Sequence, residues 1–450
     1  MDQNEIKSII ENKFTIDCPS IKLVPQSSDS SLRLHEGSGF INQNQDGSFS
    51  LKMYTMEELS LEDVLHPRGN SIPGEIIDEK HYYQLLARDI SGREWESKWV
   101  LPDIHAGLGG NGNVICANIK EFFCLSSVNS KKDIHHVSIY FPGEIEIPCN
   151  KCTDEEKIVD GEKRFFSRSL NLAKFNSCDF GFEIKKETDC LKLDAYSIAQ
   201  EINDTHIMRF VESLQFILAR TLSWSIAELT EGKIKKIRVR SCQKNSKQSR
   251  MGSPVHMDGP FSHVWSLFDK YLNHVMGYED KSSWHSVSGW VHAVIESGSV
   301  SLNTEALVLS VAIEGLLKEE FKHLRFGNSE LDIQIKDAKS IIQESTLNPS
   351  FKERLYGSFD AMSQARAKDL LHILKERNLI DVKLMAEYGK LRNPSAHGEI
   401  GIPNIQEYLD RCSCALMLFY QLIFLAIGYK GKYIDYSLRG FPMKEFNISL

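Results

Sequence analysis

The amino-acid sequence predicts an α+β protein in which a β-rich domain, a sandwich or partly open barrel, is followed by a bundle of α-helices. Three observations support this fold class. Short β-forming runs separated by turn residues continue to about residue 195, apolar residues recur at helical spacing after residue 261, and a polar segment separates the two regions. With 450 residues, the chain exceeds the size at which one hydrophobic core keeps growing. We therefore expect two or three domains.

The β-rich region is identified by alternating or aromatic runs that end at turn signals. Turn residues occur at Asp46-Gly47, Pro73-Gly74 and Pro142-Gly143. The predicted strands include residues 49–54, 81–87, 136–141 and 180–184. Residues 1–195 are therefore predicted to form one β-rich domain with a sensor or regulatory role.

The spacing of apolar residues changes from strand-like to helical at the start of a middle segment, residues 196–260. Residues 198–229 carry apolar side chains at helical spacing and predict one long helix. The apolar stripe consists of Ile207, Phe210, Val211, Leu214, Ile217, Leu218 and Leu222. A basic stretch at 233–240 follows, and then a run at 241–259 that is rich in Ser, Gln and Asn and is typical of a linker.

Nearly all of residues 261–450 are predicted to be helical. The helices are expected at 261–276, 284–295, 304–321, 333–343, 365–377, 382–392 and 406–429. The most apolar stretch, residues 415–429, is shorter than the roughly 20 residues that a bilayer-spanning helix needs, and it contains Gln421. It is predicted to be a core helix, and no membrane is expected as a partner.

Composition and charge narrow the classes of function. Apolar residues make up 42% and charged residues 25% of the chain, which excludes a disordered or fibrous protein. The net charge of -8 repels phosphate, so contact with RNA requires a local basic patch. The N-terminus lacks the basic and apolar runs of a secretory signal, and the ten cysteines are scattered, as expected for reduced thiols of a cytoplasmic protein.

Residues 392–397, Arg-Asn-Pro-Ser-Ala-His, place a guanidinium, an amide and an imidazole beside a helix-breaking proline. We expect the helix to break at Pro394, because the proline ring clashes with the carbonyl of Lys390. Asn393 then suits the N-cap of a new short turn. This break is expected to hold His397 within a few ångströms of Arg392.

This combination of side chains suits RNA cleavage. An imidazole can take a proton from a ribose 2′-hydroxyl or give one to a leaving oxygen, while a guanidinium grips the phosphate and offsets developing charge. The alternative is that Arg392 makes a structural ion pair and His397 caps a helix end. Spacing alone does not decide between them.

The sequence Leu-Arg-Asn-Pro-Ser-Ala-His-Gly at 391–398 resembles the active-site motif of the HEPN superfamily, in which an Arg and a His lie a few residues apart. The motif is frequently Arg-Asn followed by Ala-His-Gly. It follows the predicted helix that contains residues 307–317. The tail at 425–436 is similar to the ending of the Apea-like HEPN proteins of prokaryotic antiphage defence.

By this resemblance, residues 261–450 form an all-α HEPN ribonuclease domain, with Arg392 and His397 as the catalytic pair and Asn393 as the polar residue after the Arg. The implied reaction needs no metal or cofactor: the ribose 2′-oxygen attacks the adjacent phosphate, leaving a cyclic phosphate and a 5′-hydroxyl. The resemblance also implies a homodimer with a composite site, an RNA substrate with tRNA among the candidates, and a phage-derived trigger in abortive infection. The alternative is an inactive HEPN module that binds RNA or protein.

Glu314 is a further candidate for the site. It lies among apolar residues at helical spacing, namely Leu307, Val311, Leu317 and Phe321. A carboxylate in such a stripe requires a partner, for which Arg392 and His397 are the candidates, and an acidic residue on an early helix is usual in the resembled family. The alternative is a glutamate at the stripe edge that reaches solvent.

A basic run is the candidate RNA contact outside the helical domain. Residues 233–250 contain eight cationic residues and no acidic one. If residues 236–240 form a strand, Lys236, Arg238 and Arg240 share one face and can follow phosphates. A solvated strand face followed by a linker explains the same residues.

Two motifs and one aromatic cluster resemble binding sites but are better explained by ordinary structural roles. The glycine pattern at 107–112 precedes residues 114–119, which predict a strand where a dinucleotide motif needs a helix. Cys149 and Cys152 have zinc-knuckle spacing, but no second ligand pair follows, so ordinary thiols are favoured. Trp95 and Trp99, near Arg93, are expected in the core of the β-rich domain rather than in a binding surface.

Overall fold

The structure is a computed structural model that describes residues 1–28, 32–57, 74–105, 113–127, 135–159, 162–243, 251–257, 262–278, 280, 283–325, 329–363, 366–397 and 404–450. Within these ranges, the side chains of 155–159, 162–166, 262, 325, 329–332, 361–363 and 393–397 lie outside the description. The chain divides into two compact units. The first contains Met1–Ile207, Leu222–Ser246 and Asp258–Phe261, and the second contains Met208–Thr221, Lys247–Met257 and Ser262–Leu450. The predicted middle segment, 196–260, thus contributes to both units.

The first unit is built on one antiparallel sheet, in which 15 strands are described. The strands are β1 (Thr15–Pro25), β2 (His35–Gln43), β3 (Phe49–Thr55), β4 (Tyr83–Arg88), β5 (Glu94–Val100), β6 (Pro102–His105), β7 (Asn113–Ile119), β8 (Glu121–Ser127), β9 (His135–Pro142), β10 (Lys151–Val159), β11 (Glu162–Ser177), β12 (Phe180–Lys186), β13 (Cys190–Ser197), β14 (Ile226–Glu231) and β15 (Ile234–Arg240). Their order across the sheet is β10-β11-β12-β13-β9-β14-β15-β8-β5-β4-β1-β2-β3-β7-β6. Helix α1 (Gln3–Ile10) precedes the sheet. The predicted β-rich region is confirmed.

Alternation along the strands places one face of the sheet in the core. On β3, the side chains of Phe49, Leu51 and Met53 are buried while Lys52 and Tyr54 are exposed. The predicted turn at Asp46-Gly47 is present, since Gly47 adopts a positive φ of 84° and a Cβ there would lie 2.0 Å from a backbone oxygen of Cys242.

A buried carboxylate organises the turn between β4 and β5. Asp89 accepts hydrogen bonds from Ser91, from the backbone and guanidinium of Arg93, and from the Trp95 indole at 3.0 Å. Trp95 is buried in the core, as expected, whereas Trp99 is 47% exposed. Burial raises the pKa of Asp89, but the hydrogen bonds from Ser91, Trp95 and Arg93 outweigh that effect and lower the pKa to about 2.

We expect Asp89→Ala to lower the free energy of unfolding of the first unit by about 3 kcal/mol at neutral pH, because the Trp95 indole and Arg93 lose a charged partner. Since the folded pKa of Asp89 is depressed, its stabilisation is full above the unfolded pKa, about 3.9, and is lost as pH falls towards about 2. Urea unfolding followed by tryptophan fluorescence checks both points. Asp17→Ala, at an exposed carboxylate on β1, is the control. A deficit in Asp89→Ala that stays constant down to about pH 2 would contradict the assignment.

The single long helix predicted at 198–229 is wrong at its C-terminal end. Helix α2 spans Asp204–Leu218, Ala219 follows with a positive φ of 47°, and Ile226–Glu231 is strand β14. The apolar stripe of the helix is buried as predicted. Strand β14 is paired on both edges, with β9 and β15, and this pairing overrides the helical preference of its Ala, Glu and Leu residues.

The second unit is mainly helical. Its helices are the C-terminal part of α2, then α3 (Ser262–Met276), α4 (Ser286–Ser297), α5 (Leu302–Glu320), α6 (Ser329–Glu344), α7 (Pro349–Ser363), α8 (Ala367–Glu376), α9 (Val382–His397) and α10 (Ile405–Ala426). A hairpin of β16 (Gly431–Ile434) and β17 (Met443–Phe446) follows. The predicted helices are confirmed, while α7 and the hairpin were not predicted. Helix α5 is central, because α4, α8, α9 and α10 all pack against it.

Helix α10 is long and apolar enough to span a membrane by length and composition, but 72% of its apolar window is buried inside the protein. Its buried residues include Tyr420, whose hydroxyl donates to the carbonyl of Gly252 at 2.5 Å. The predicted core helix is therefore confirmed.

Part of the predicted linker is packed rather than solvated. Met251 and Val255 are 2% and 1% exposed. The hydroxyl of Tyr436 donates to the carbonyl of Ser253 at 2.7 Å, and the backbone of Ile434 donates to Pro254 at 2.9 Å. Polar composition predicted a linker, whereas tertiary hydrogen bonds fix this segment within the second unit; residues 244–250 lie outside the described residues.

Candidate functional site

The helix break predicted at Pro394 is wrong, since α9 continues from Val382 to His397. A proline removes a single intrahelical hydrogen bond, here to the carbonyl of Lys390, at a cost of about 3 kcal/mol. The preceding turns offset that cost, because Leu384, Tyr388 and Leu391 of α9 are buried. Asn393 is therefore within the helix rather than at the cap of a new turn.

The side chains of 393–397 lie outside the described residues, so the expected proximity of His397 to Arg392 stays a prediction. Its original reason, a new turn after Pro394, no longer applies. Positions five residues apart on a continuous α-helix are rotated by about 140°. The two positions therefore lie on different sides of α9. If both side chains act on one RNA, they must approach it from different sides of the helix end.

Arg392 is held by Glu314, whose carboxylate was predicted to pair with Arg392 or His397. The Nε of Arg392 on α9 donates to Oε1 of Glu314 on α5. The hydrogen bond that Arg392 donates to Glu314 raises the pKa of Arg392. Because the Arg392 side chain is 45% exposed and that of Glu314 26% exposed, the pair fixes a guanidinium that solvent can still reach.

The surroundings of Glu314 differ from the apolar stripe that was predicted. Leu317 and Phe321 are buried, but Leu307 and Val311 are 45% and 50% exposed. Periodicity identified the apolar positions of α5, yet this helix is apolar around most of its circumference, so the pattern alone did not reveal which face stays open. Glu314 therefore lies at the edge of an open apolar face of α5.

Tyr388 supports the guanidinium from one turn earlier on α9. Its side chain is 4% exposed, and its hydroxyl donates to the carbonyl of Ser310 at 3.5 Å. Burial, together with the nearby charge of Glu314, raises the pKa of Tyr388, so the phenol stays protonated at neutral pH. This contact joins α9 to α5 one helical turn before Arg392.

Trp290 on α4 lies against the other side of the open face of α5. A Cβ atom added at Gly315 would lie 2.3 Å from Cζ2 of Trp290, so the indole rests on the glycine backbone. The indole Nε1 donates to Oε2 of Glu319 at 3.2 Å, which fixes the orientation of the ring. Consecutive residues of α5, Glu314 and Gly315, therefore position a guanidinium on one side and an indole on the other.

These groups line one surface groove of about 500 Å³, hereafter the α5 groove. Its lining residues are Trp290, Leu307, Ser310, Val311, Glu314, Gly315, Lys318, Glu319 and Arg392. Leu307 and Val311 supply exposed apolar surface, and Arg392 and Lys318 supply cations. The α5 groove thus combines an oriented cation, which can bind a phosphate, with an aromatic and aliphatic surface.

The basic strand takes the predicted form but its cations already have partners. In β15, Ile237 and Val239 are buried, and Lys236, Arg238 and Arg240 share the opposite face. Arg238 pairs with Glu121 and Asp204, and Lys236 lies 3.6 Å from Asp204.

Arg240 is engaged in the same way. Its guanidinium lies 3.9 Å from the Trp224 ring centroid, and its Nε donates to the Trp224 carbonyl at 2.6 Å. Burial lowers the pKa of Arg240. The three cations contribute to packing within the first unit, which favours the structural alternative over a phosphate-binding strand.

The remaining sequence motifs do not form a site among the described residues. Residues 107–112 of the glycine pattern lie outside the described residues, and the predicted strand after them is present as β7. Cys149 is buried and its thiol donates to the carbonyl of Ile147 at 3.6 Å, whereas Cys152 is exposed. In the described part of the chain, no third metal-ligating side chain joins this pair.

One cluster with metal-ligand chemistry lies in the second unit and was missed from the sequence. The ligand atoms of His274, His285 and Glu320 lie within 4.8 Å of one another. However, Nδ1 of His285 accepts the backbone N–H of Val287 at 3.1 Å and so caps α4. This tautomer carries its proton on Nε2, and coordination through Nε2 would require the cap to break. Capping of α4 therefore accounts for His285.

Sequence reasoning also missed Tyr388 and Trp290. The spacing of Tyr388, four residues before Arg392, could have indicated a shared helix face. Trp290 has no comparable signal, because its contact with Gly315 depends on how α4 and α5 pack. A comparison of the chain with protein-family models, with curated proteins and with solved structures finds no match.

Proposed function

We propose that this protein is a metal-independent endoribonuclease of the HEPN type that acts in a prokaryotic antiphage, abortive-infection response. The observation that carries the proposal is the ion pair between Arg392 and Glu314 at an open groove. The guanidinium is 45% exposed, lines the groove and begins the Arg-Asn-Pro-Ser-Ala-His segment. An oriented, solvent-accessible arginine is suited to binding a phosphate.

In the proposed reaction, Arg392 binds the scissile phosphate and stabilises the negative charge that develops on it. His397 exchanges a proton with the ribose 2′-hydroxyl or with the leaving 5′-oxygen. The 2′-oxygen forms a bond to phosphorus as the bond to the 5′-oxygen breaks, which gives a cyclic phosphate and a 5′-hydroxyl. Glu314 is a positioning residue for Arg392, and Asn393 is a polar contact to the RNA.

The proposal includes partners that follow from the sequence resemblance. A second copy of the chain completes a composite site, the RNA substrate includes tRNA among its candidates, and the β-rich unit responds to a phage-derived trigger protein. In a homodimer, the two α9 ends approach one another, so His397 of one chain can act on RNA that Arg392 of the other holds. Light scattering of the purified protein, alone and with RNA, tests this arrangement; a monomer under both conditions would contradict it.

The central test is RNA cleavage in excess EDTA. We expect the wild-type protein to cut single-stranded RNA and to leave cyclic phosphate and 5′-hydroxyl ends, which end-specific sequencing identifies. Arg392→Ala and His397→Ala are both expected to reduce the formation of these ends by at least about 100-fold. If both variants cut like the wild type and fold normally, the catalytic assignment is wrong.

One observation favours a second candidate function. Arg392 already has a carboxylate partner, so it can serve as a structural cation in a non-enzymatic HEPN protein that binds RNA or another protein. The two functions differ in the expected products. The binding module retains affinity for RNA but yields no cyclic phosphate ends in the wild-type protein.

A further inference from the structure

The α5 groove contains a second feature that phosphate binding by Arg392 does not use. Trp290 lines the groove together with the exposed apolar side chains of Leu307 and Val311. Exposed aliphatic side chains beside an aromatic ring form a contiguous apolar surface, and a ligand that covers it gains the free energy of apolar burial. The groove therefore offers an apolar surface next to an oriented cation.

The indole of Trp290 is held in a fixed orientation. Its ring rests on Gly315, where any Cβ would come within 2.3 Å, and its N–H is bonded to Glu319. A ring that is fixed along one face and one edge loses little conformational entropy when a flat ligand stacks on its free surface. Such preorganised aromatic rings are the usual contacts for unpaired nucleobases.

We propose that Trp290 forms a nucleobase subsite, in which an unpaired base of RNA stacks on the indole while Arg392 holds a neighbouring phosphate. This inference rests on the proposed function, because it takes RNA as the ligand of the α5 groove. The subsite makes single-stranded RNA the substrate class, since a base within a duplex cannot reach the indole. Leu307 and Val311 contact the sugar or the far edge of the base.

The arrangement of the groups, rather than net charge, favours RNA over an apolar protein partner as the occupant. The groove has two cations, Arg392 and Lys318, and two carboxylates, Glu314 and Glu319, and both cations are exposed beside the aromatic ring. A chain of alternating flat bases and phosphates is complementary to an alternation of aromatic surface and cation. The cation and the indole are positioned by adjacent residues of α5, Glu314 and Gly315, which matches neighbouring groups of one nucleotide chain.

Binding of an uncleavable RNA tests the subsite independently of cleavage. We expect the wild-type protein to bind fluorescent 2′-O-methyl oligo(A) on the order of ten-fold more tightly than an abasic chain of equal length, as measured by anisotropy. Trp290→Ala should reduce this ratio to near one. Gly315→Ala should reduce it as well, because the new methyl group displaces the indole.

Two controls make the test specific. Gly289→Ala introduces the same methyl group on α4, where nothing lies within 4 Å, and should leave the ratio unchanged. Trp99→Ala removes a tryptophan that is 47% exposed in the first unit and should also leave it unchanged. If Trp290→Ala keeps the wild-type preference for oligo(A) over the abasic chain, the subsite is wrong. If sedimentation shows that Trp290→Ala changes the oligomeric state while this preference is unchanged, the subsite is also wrong and the groove contacts a second copy of the chain.

The outcomes for the subsite and for the ribonuclease are separable. If wild-type protein cuts RNA in EDTA but the binding ratio does not depend on Trp290, the ribonuclease proposal stands and the subsite is wrong. If the ratio depends on Trp290 but wild-type protein leaves no cyclic phosphate ends, the subsite stands and the ribonuclease is wrong. If neither effect occurs, both are wrong.

Discussion

Arg392→Ala is expected to lower kcat/KM for RNA cleavage by about 10²- to 10³-fold, the effect of removing one oriented donor from a developing oxyanion. The same substitution should change the free energy of unfolding by no more than about 1 kcal/mol, because both side chains of the ion pair are in contact with solvent, at 45% exposure for Arg392 and 26% for Glu314. A large loss of activity with little loss of stability distinguishes a catalytic arginine from a structural one. Single-turnover kinetics and urea unfolding of the same samples provide both values.

Two further substitutions separate the contribution of the Arg392 guanidinium to RNA cleavage from that of the Glu314 carboxylate. Arg392→Lys keeps the charge but loses the planar fork that grips two phosphate oxygens, so an intermediate loss of about ten-fold is expected. Glu314→Gln keeps the shape of the side chain but loses the charge that orients Arg392. For a positioning role we expect kcat to fall by about ten-fold with KM nearly unchanged. Equal activity of Arg392→Lys and wild type would show that the guanidinium geometry is not used.

A control variant should lie on the same helix but outside the α5 groove. Lys390 on α9 is exposed and pairs with Glu387 at 2.7 Å, so Lys390→Ala removes a nearby cation without touching the groove. We expect cleavage within about two-fold of the wild type, as for other exposed ion pairs that contribute little. A loss comparable to that of Arg392→Ala would indicate a general electrostatic effect rather than a site.

The pairing of Glu314 with Arg392 shows what the sequence could predict about this site. A carboxylate among apolar helical positions requires a partner, and that requirement gave Arg392 and His397 as candidates, of which the structure pairs Arg392 with Glu314 across 78 residues of chain. Local reasoning was less successful at Pro394, because the cost of one lost backbone hydrogen bond was weighed without the packing of Tyr388 and Leu391, which holds α9 together.

Other differences arise from contacts that are distant in the sequence. Strand β14 was assigned to a helix because its residues favour helices, but pairing with β9 and β15 decides its conformation. The cations of β15 were correctly placed on one face, yet their acidic partners, Glu121 and Asp204, lie far away in the sequence. Trp290 escaped notice for the same reason, since only the packing of α4 on α5 brings it to Gly315.

A buried ion pair in the second unit leads to the largest expected effect on stability. Arg209 and Glu212 on α2 are each 1% exposed, and Nη1 of Arg209 donates to Oε1 of Glu212 at 2.6 Å. Nη2 of Arg209 donates to the carbonyl of Asp280 at 2.9 Å. Glu212 also accepts from the hydroxyl of Ser288 on α4 at 2.7 Å, and that hydroxyl lies 3.0 Å from the Tyr271 hydroxyl on α3. The pair thus joins three helices of the second unit.

Glu212→Ala is expected to lower the free energy of unfolding of this unit by about 3–5 kcal/mol, because Arg209 stays buried without a carboxylate partner. The double variant Arg209→Met with Glu212→Met should recover most of that loss, since removing both charges avoids the desolvation of either. Calorimetry measures the transitions, and hydrogen exchange of α2 and α4 assigns them to the second unit. If the double variant is as unstable as Glu212→Ala, shape or the hydroxyl contacts, rather than charge pairing, stabilise the three helices. The predicted recovery therefore separates electrostatic from steric contributions even if Glu212→Ala alone does not fold.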